Sequence, residues 1–213
     1  MSDIAGIRQD YKLKTLEESD VDRNPIAQFS KWWDEAVASD ILEVNAMALS
    51  TVDGDGQPSS RIVLLKGFDE NGFVFFTNYL SSKAMQMEQN NRVSLIFFWK
   101  ELERQVRIQG TVSKTSAEQS DKYFQSRPLG SQVGAWASPQ SQLVSSRKIL
   151  EENVREIEIK FEGRTVSRPL HWGGYVVRPN SMEFWQGRSN RLHDRIKFHQ
   201  MHDGEWEINR LAP

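Results

Sequence analysis

Between residues 46 and 113 the chain is punctuated by turn chemistry at intervals that suit only short antiparallel strands. Asp53-Gly54-Asp55-Gly56 and Asp69-Glu70-Asn71-Gly72 place glycine and short polar side chains where hairpin turns need them. The apolar runs they separate are too short for helices. The candidate strands are 46–52, 59–66, 73–78, 93–99 and 104–113, with the first three joined as an antiparallel meander. Three more are expected at 173–178, 181–186 and 205–211. Helices interrupt this pattern rather than alternate with it. Asn24-Pro25 is an N-cap followed by a first-turn proline, and Ile26, Phe29, Trp33 and Val37 then recur at spacings of three and four. A second helix is expected over 81–90, and a third from the capping box Thr115-x-x-Glu118 toward Gln125. A longer one follows Ser138-Pro139, with Leu143, Leu150, Val154, Ile157 and Phe161 as its seam and Gly163 as its stop. Runs of strands with inserted helices predict a mainly β fold, an antiparallel barrel with peripheral α-helices.

The 213 residues are expected to form a single domain over 24–213 preceded by a polar arm over 1–23. With 27 basic against 29 acidic residues, no global basic field exists to recruit nucleic acid or an anionic membrane. The absence of cysteine removes disulfides, thiolate nucleophiles and cysteine-based metal sites. The first residues carry Asp3, Arg8, Asp10 and Lys12 where a secretory signal would be apolar. The most apolar stretch, 93–99, is far short of the roughly 20 residues that cross a bilayer. A soluble, cytoplasmic protein is the expectation.

Four groups of residues are candidates for chemistry. In strand 59–66 the apolar centre is bounded by Arg61 and Lys66, which lie on opposite faces if the strand is regular; they are either solvent-facing strand-end charges or anion sites. Gln105, Arg107, Gln109 and Thr111 share one face of their strand, which is either simply wet or a row of amides for a flat heteroaromatic ring. Tyr123, Arg127 and Ser131 recur every four residues across the Arg127-Pro128 break and offer the phenol, guanidinium and hydroxyl that grip a phosphate monoester; a helix C-terminus supported by Arg127 is the competing reading. Gln140 and Ser141 fall in the first turn of the helix expected after Pro139, where free N–H groups favour an anion. The densest cluster is 183–195, in which Trp185, Arg188, Arg191, His193 and Arg195 combine a stacking face, three cations and an imidazole. No dinucleotide fingerprint, Walker A motif, HExxH or nucleophile elbow is found. His199-x-x-His202 lacks an obvious third metal ligand.

Taken in order, RIVLLK (61–66), FFTNY (75–79), SSKA (81–84), ERQVR (103–107), YFQSRPLGSQVGAW (123–136), PQS (139–141), WGGY (172–175) and EFWQG with RLHDR (183–195) resemble the pyridoxine/pyridoxamine 5'-phosphate oxidase family. The resemblance runs from Arg8 to the terminal Arg210-Leu211-Ala212-Pro213. It implies an FMN-binding split β-barrel that works as a homodimer with active sites at the subunit interface. The implied reaction oxidises pyridoxine 5'-phosphate or pyridoxamine 5'-phosphate to pyridoxal 5'-phosphate, with O2 reduced to H2O2. Carried over by position, the FMN contacts are Arg61, Ile62, Val63, Leu64, Leu65, Lys66, Phe76, Thr77, Lys83, Gln105, Gln140, Ser141, Trp185 and Arg195. The substrate phosphate falls to Lys66, Tyr123, Arg127 and Ser131. Arg191 and His193 position the ring and reacting carbon, and Arg8 and Tyr11 belong to a segment that covers the substrate. This chain departs from the family in having Ser82 where arginine is common, Phe76 where tyrosine is common, and Asp10 in the covering segment.

Two other readings share much of this pattern. A split-barrel flavin oxidase acting on another substrate, as in phenazine biosynthesis, would leave Tyr123, Arg127 and Ser131 without a phosphate. A non-catalytic carrier of FMN or pyridoxal phosphate would need the binding residues but no redox turnover.

Overall fold

The computed structural model describes residues 3–7 and 9–213. Among them are nine strands: β1 (Ala46–Val52), β2 (Pro58–Leu64), β3 (Gly67–Asp69), β4 (Gly72–Asn78), β5 (Arg92–Trp99), β6 (Arg104–Lys114), β7 (Trp172–Gln186), β8 (Asp194–Gln200) and β9 (Trp206–Arg210). The helices are α1 (Pro25–Val37), α2 (Ser82–Gln89), α3 (Ala117–Ser126), α4 (Leu129–Ala137) and α5 (Arg147–Lys160). The strands hydrogen-bond in the order β2-β1-β5-β6-β7-β4-β3, with β8 on β7 and β9 on β8. No helix among the described residues is long and apolar enough to cross a membrane.

The chain divides into two compact units. The first takes the residues up to Leu49, Ser94–Gly110 and Pro179–Pro213. Its helix α1 starts as the sequence dictates, the Asn24 side chain accepting hydrogen bonds from the amides of Ile26 (2.7 Å) and Ala27 (3.3 Å). The apolar stripe is set by Ile26, Phe29, Trp32 and Ala36 rather than by Trp33 and Val37, and Val37 is exposed. Phe29 packs on Phe97, and Trp32 stands edge-on to Phe184. Arg104 is buried in the same core. Its guanidinium lies 4.2 Å from the centre of the Trp32 ring and donates to Gln186 Oε1 and Glu35 Oε2. Antiparallel pairs run from β7 through β8 to β9, with Trp185 opposite Arg195 and Ile196 opposite Arg210.

The second unit comprises Ser50–Val93 and Thr111–Arg178. Here β4 is buried on both faces and takes β3 and β7 as its antiparallel neighbours. The expected three-strand meander therefore stops after its first hairpin: the chain leaves β2 at Leu64, and β4 satisfies its backbone against residues 172–177. The pair Phe76↔Gly174 explains a glycine, because a Cβ at Gly174 would run into Thr115 Oγ1 and come within 2.8 Å of the Phe76 ring.

Three helical boundaries differ from expectation. Ser116, not Thr115, caps α3 by accepting from Gln119 N (3.1 Å), because the Thr115 amide already donates to Gly174 O. The helix expected after Pro139 begins only at Arg147. Residues 138–142 are tied into turns by Gln140 N to Ser138 O and Gln142 N to Pro139 O, and Ser141 has a left-handed φ of 70°. Leu143 is consequently fully exposed, and Leu150, Val154, Ile157 and Phe161 are only half-buried. Helix α4, its backbone direction set by Pro128 at its N-cap, had no sequence signal strong enough to offset two internal glycines. The strands expected at 173–178 and 181–186 are one continuous strand through Pro179.

Candidate active site

A cavity of about 650 Å³ opens in the second unit, and β2, β4, α2, α3, α4 and the 138–142 turn all contribute to its wall. Arg61, Lys66, Lys83 and Arg127 line it, and no carboxylate does. The strand expected over 59–66 ends at Leu64, so Arg61 and Lys66 are not divided between two faces: both reach this cavity, as do Ile62, Val63 and Leu64. Leu65 points the other way and is buried in the core.

Arg61 donates to Thr51 Oγ1 (2.6 Å) and Gln86 Oε1 (3.3 Å). Beside it, the buried Lys83 ammonium donates to Thr77 Oγ1 (3.3 Å) and Ser81 Oγ (3.4 Å). Burial and then the Arg61 charge push the Lys83 pKa below that of an ordinary lysine, and burial lowers that of Arg61. Two like charges held together at the cost of desolvation are a site that an anion would relieve. Gln140, exposed in its turn rather than at a helix start, accepts from Thr77 Oγ1 (3.2 Å) and Asn78 N (3.4 Å). Ser141, one residue on, is exposed and outside the cavity wall.

At the other group of cations, Phe76, Tyr123 and Trp172 form an aromatic wall. Phe76 stacks on Tyr123 at 4.0 Å and on Trp172 at 5.5 Å, with ring planes within 21° of parallel. Phe76 therefore contributes its face where a phenol would add a hydroxyl. The Arg127 guanidinium lies 4.5 Å from the Trp172 centroid. Burial lowers its pKa, with Tyr123 opposing; a guanidinium stays charged regardless. Among the described residues, Arg127 Nη1 is the one buried side-chain polar atom with no hydrogen-bond partner. Lys66 Nζ sits 6.0 Å over the Tyr123 ring, and Ser131 completes the rim from the first turn of α4. Tyr123, Arg127 and Ser131 thus converge although they belong to α3, its C-cap and α4.

The first unit holds a second cavity, of about 550 Å³, lined by Ile7, Gln9, Asp10 and Tyr11 on one side and Arg188, Asn190, Arg191 and His193 on the other. Arg8 lies outside the described residues. The Trp185 and His193 rings are 4.6 Å apart, and Tyr11 meets both edge-on at 5.7 and 5.9 Å. The Arg188 amide donates to His193 Nδ1 (3.1 Å), which assigns the proton of the neutral ring to Nε2. Burial and the Arg191 charge lower the His193 pKa, and Asp194 opposes them. Asn190 and Arg191 have left-handed backbones, with φ of 56° and 63°, strain of the kind that collects where a side chain must be aimed. Arg195 donates to Glu183 Oε1 (2.9 Å) and to Ala212 O (2.8 Å), and Gln105 is half-buried near the start of β6. Trp172 and Asp194 fall within motifs of the sequence reading but were given no site role there. Trp172 opens a strand before two glycines, where no periodicity marks a site.

An aromatic-walled cavity rich in cations, on an antiparallel β framework without a dinucleotide fingerprint, has the surface chemistry that suits flat, phosphorylated molecules. Residues 33–161 match the family model described as pyridoxamine 5'-phosphate oxidase, and residues 172–213 match a pyridoxine 5'-phosphate oxidase C-terminal dimerisation region. The chain is 54% identical, over all of both chains, to a pyridoxine/pyridoxamine 5'-phosphate oxidase of Cupriavidus pinatubonensis. It is 52% identical to one of Trichormus variabilis, with 99% of this chain and 98% of that one covered. The chain belongs to the pyridoxine/pyridoxamine 5'-phosphate oxidase family of oxidoreductases. Among solved structures it superposes on PhzG from Burkholderia lata 383, in complex with tetrahydrophenazine-1-carboxylic acid, with a TM-score of 0.89 at 27% identity, covering 96% of this chain and 100% of that one. A pyridoxamine 5'-phosphate oxidase-related, FMN binding protein from Nostoc punctiforme PCC 73102 shares the fold, with a TM-score of 0.70 at 16% identity over 87% of this chain and 97% of that one. The fold is the antiparallel split β-barrel.

Proposed function

We propose that the protein is an FMN-dependent oxidase that converts pyridoxine 5'-phosphate and pyridoxamine 5'-phosphate to pyridoxal 5'-phosphate, acting in the cytoplasm as a homodimer with its active sites at the subunit interface. The observation that carries this reading is the buried, unpartnered Arg127 Nη1 in a cavity with four cations and no carboxylate. A phosphate ester is the ligand that both satisfies this donor and offsets the charge.

The donor set fits FMN together with a phosphorylated substrate, which bring two phosphates and two flat rings. Arg61 and Lys83, with Thr77 and Gln140, would hold the flavin phosphate and ribityl chain. Lys66, Tyr123, Arg127 and Ser131 would hold the substrate phosphate, and Trp185, Gln105 and Arg195 would contact the flavin as the family pattern implies. When bound, FMN supplies the two-electron acceptor and passes those electrons to O2. The alcohol CH2OH becomes CHO as a hydride leaves the carbon and a proton leaves the hydroxyl, giving H2O2 in balance with O2. The amine route also takes up water and releases ammonia.

This chain's residues then contribute position and charge. Arg127 and its neighbours fix the substrate by its phosphate end. Arg191 offers a cation, and His193 an Nε2–H donor, to the exocyclic oxygen or nitrogen as charge develops there. With Nδ1 accepting from Arg188, His193 serves as a donor and orienting group rather than an obligatory base. Tyr11 would cover the ring.

The likeness to PhzG favours a second reading, a non-phosphorylated tricyclic substrate. An anaerobic titration of the FMN-loaded protein separates the two: bleaching of the flavin absorbance by pyridoxine 5'-phosphate but not by a reduced phenazine carboxylate is expected. Bleaching by the phenazine alone would reverse the assignment, and bleaching by neither would favour a carrier.

A further inference from the structure

We propose that Arg210 is a positioning residue of the active site: acting with Asp194, it clamps the peptide of Leu16 and so fixes the N-terminal segment in the place that lays Tyr11 on Trp185 and His193. The inference deepens the oxidase reading and rests on it for its kinetic consequence alone.

Arg210 ends β9 and commits all of its side-chain nitrogens. Nε donates to Glu18 Oε1 (2.7 Å) and Nη1 to Asp194 Oδ1 (2.9 Å). Nη2 reaches Leu16 O (3.0 Å), Glu17 Oε2 (2.9 Å) and Glu18 Oε2 (2.7 Å). The Asp194 carboxylate is buried and closes the loop from the other side, its Oδ2 accepting from the Leu16 amide (3.1 Å) and from Arg188 Nη1 (3.0 Å). Both polar groups of the Leu16 backbone are thereby held, one by each member of a single ion pair, and its side chain is 4% exposed. Isolated surface ion pairs contribute little. A bidentate guanidinium shared among three carboxylates, one of them buried, is of a different kind.

The clamp is connected to the site by a short series of hydrogen bonds. Five residues before Leu16, the Tyr11 carbonyl accepts from Ser189 Oγ (3.2 Å), and between them the amides of Lys12 and Leu13 both donate to Glu103 Oε2 (2.9 and 3.0 Å). On the opposite wall of the cavity, Asp194 directly follows His193, and Arg188, which Asp194 holds, supplies the amide that fixes His193 Nδ1. One carboxylate therefore ties down both the covering segment and the loop it covers. The side chain of Arg210 itself contacts neither Tyr11 nor His193; it acts through the segment.

The test uses Arg210→Gln, Arg210→Lys and the double variant Glu17→Gln/Glu18→Gln in the full-length, FMN-loaded protein. Amide hydrogen exchange over residues 9–18 is read beside kcat and KM for pyridoxine 5'-phosphate. Arg210→Gln is expected to speed exchange at Leu16 by roughly tenfold or more and to raise KM by a similar factor while kcat stays within about twofold, the loss of charge-assisted bonds to the backbone. Arg210→Lys, which keeps the charge but not the fork, should fall between. The double variant keeps the bonds to Leu16 O and Asp194 and should loosen the segment less; it also stands in if Arg210→Gln does not fold. Unchanged exchange over 9–18 in Arg210→Gln, or in the double variant if that one alone folds, overturns the proposal. So does faster exchange with an unaltered KM in a protein that turns the substrate over. The exchange measurement needs no turnover, so a failure of the oxidase reading is distinguishable from a failure of the clamp.

Discussion

Replacing Arg127 by alanine should separate phosphorylated from dephosphorylated substrate. In the free protein the guanidinium is already fixed over Trp172 at 4.5 Å, with Nη1 buried and unpartnered, so little ordering remains to be done when an anion arrives. A charged hydrogen bond then contributes about 1.5–3 kcal/mol, or roughly 10- to 150-fold in affinity. The pre-set geometry places the expectation in the upper half of that range. Stability should move little. Removing the side chain loses a cation–π contact worth about 0.5–2 kcal/mol and also removes an unsatisfied buried donor whose desolvation costs about 1–3 kcal/mol, so the two terms oppose each other. The assay compares KM for pyridoxine 5'-phosphate and for pyridoxine in wild type and Arg127→Ala, with thermal melts of the phosphate-free proteins alongside. A variant that weakens both compounds equally, or a wild type that does not distinguish them, would refute the phosphate assignment.

Arg191→Ala should lower kcat by roughly 10²-fold, the cost of removing one electrostatic donor, while retaining FMN; an unchanged kcat/KM would remove Arg191 from the site. Lys83 titrates low because of burial and Arg61, so FMN affinity should fall as alkaline pH discharges it, and Lys83→Arg should flatten that limb because arginine keeps its charge; superimposable profiles would exclude Lys83 from the phosphate contact. His193 has a pKa below the ordinary 6.5, so the unfolded chain takes the proton first. Its stability contribution is complete above that pH and is lost as pH falls from 6.5 toward the folded value, a slope that His193→Gln should reduce in urea titrations; an identical slope would contradict the half-buried, neutral imidazole. Gly72→Ala should destabilise by about 1–3 kcal/mol, since φ is 124° and the new Cβ would press on the Val177 backbone; a smaller loss on urea unfolding would mean the β3–β4 turn relaxes.

What could be read from the sequence was what local chemistry decides. Asn24-Pro25 set the start of α1, and the glycine-bearing turns set the hairpins. The four-residue spacing of Tyr123, Arg127 and Ser131 brought three donors to one rim even across a helix break. What could not be read depends on long-range partners. Strand β4 satisfies its edge hydrogen bonds against a segment some hundred residues later, and nothing near residues 72–78 names that partner. Thr115 lost its capping role to a sheet bond with Gly174. The alternation of β8 (Ile196, Phe198 inward) was present in the sequence but hidden by the charges of the preceding cluster. Asp194 and Arg210 lie in recognisable stretches of sequence, but nothing there pairs them; they meet across sixteen residues only through the β8–β9 pair.

The central claim is tested most directly by an aerobic assay of the purified, FMN-loaded protein with pyridoxine 5'-phosphate, following pyridoxal 5'-phosphate and H2O2 together. The account predicts that both appear in equal amounts. A yellow, dimeric protein that forms neither would contradict it.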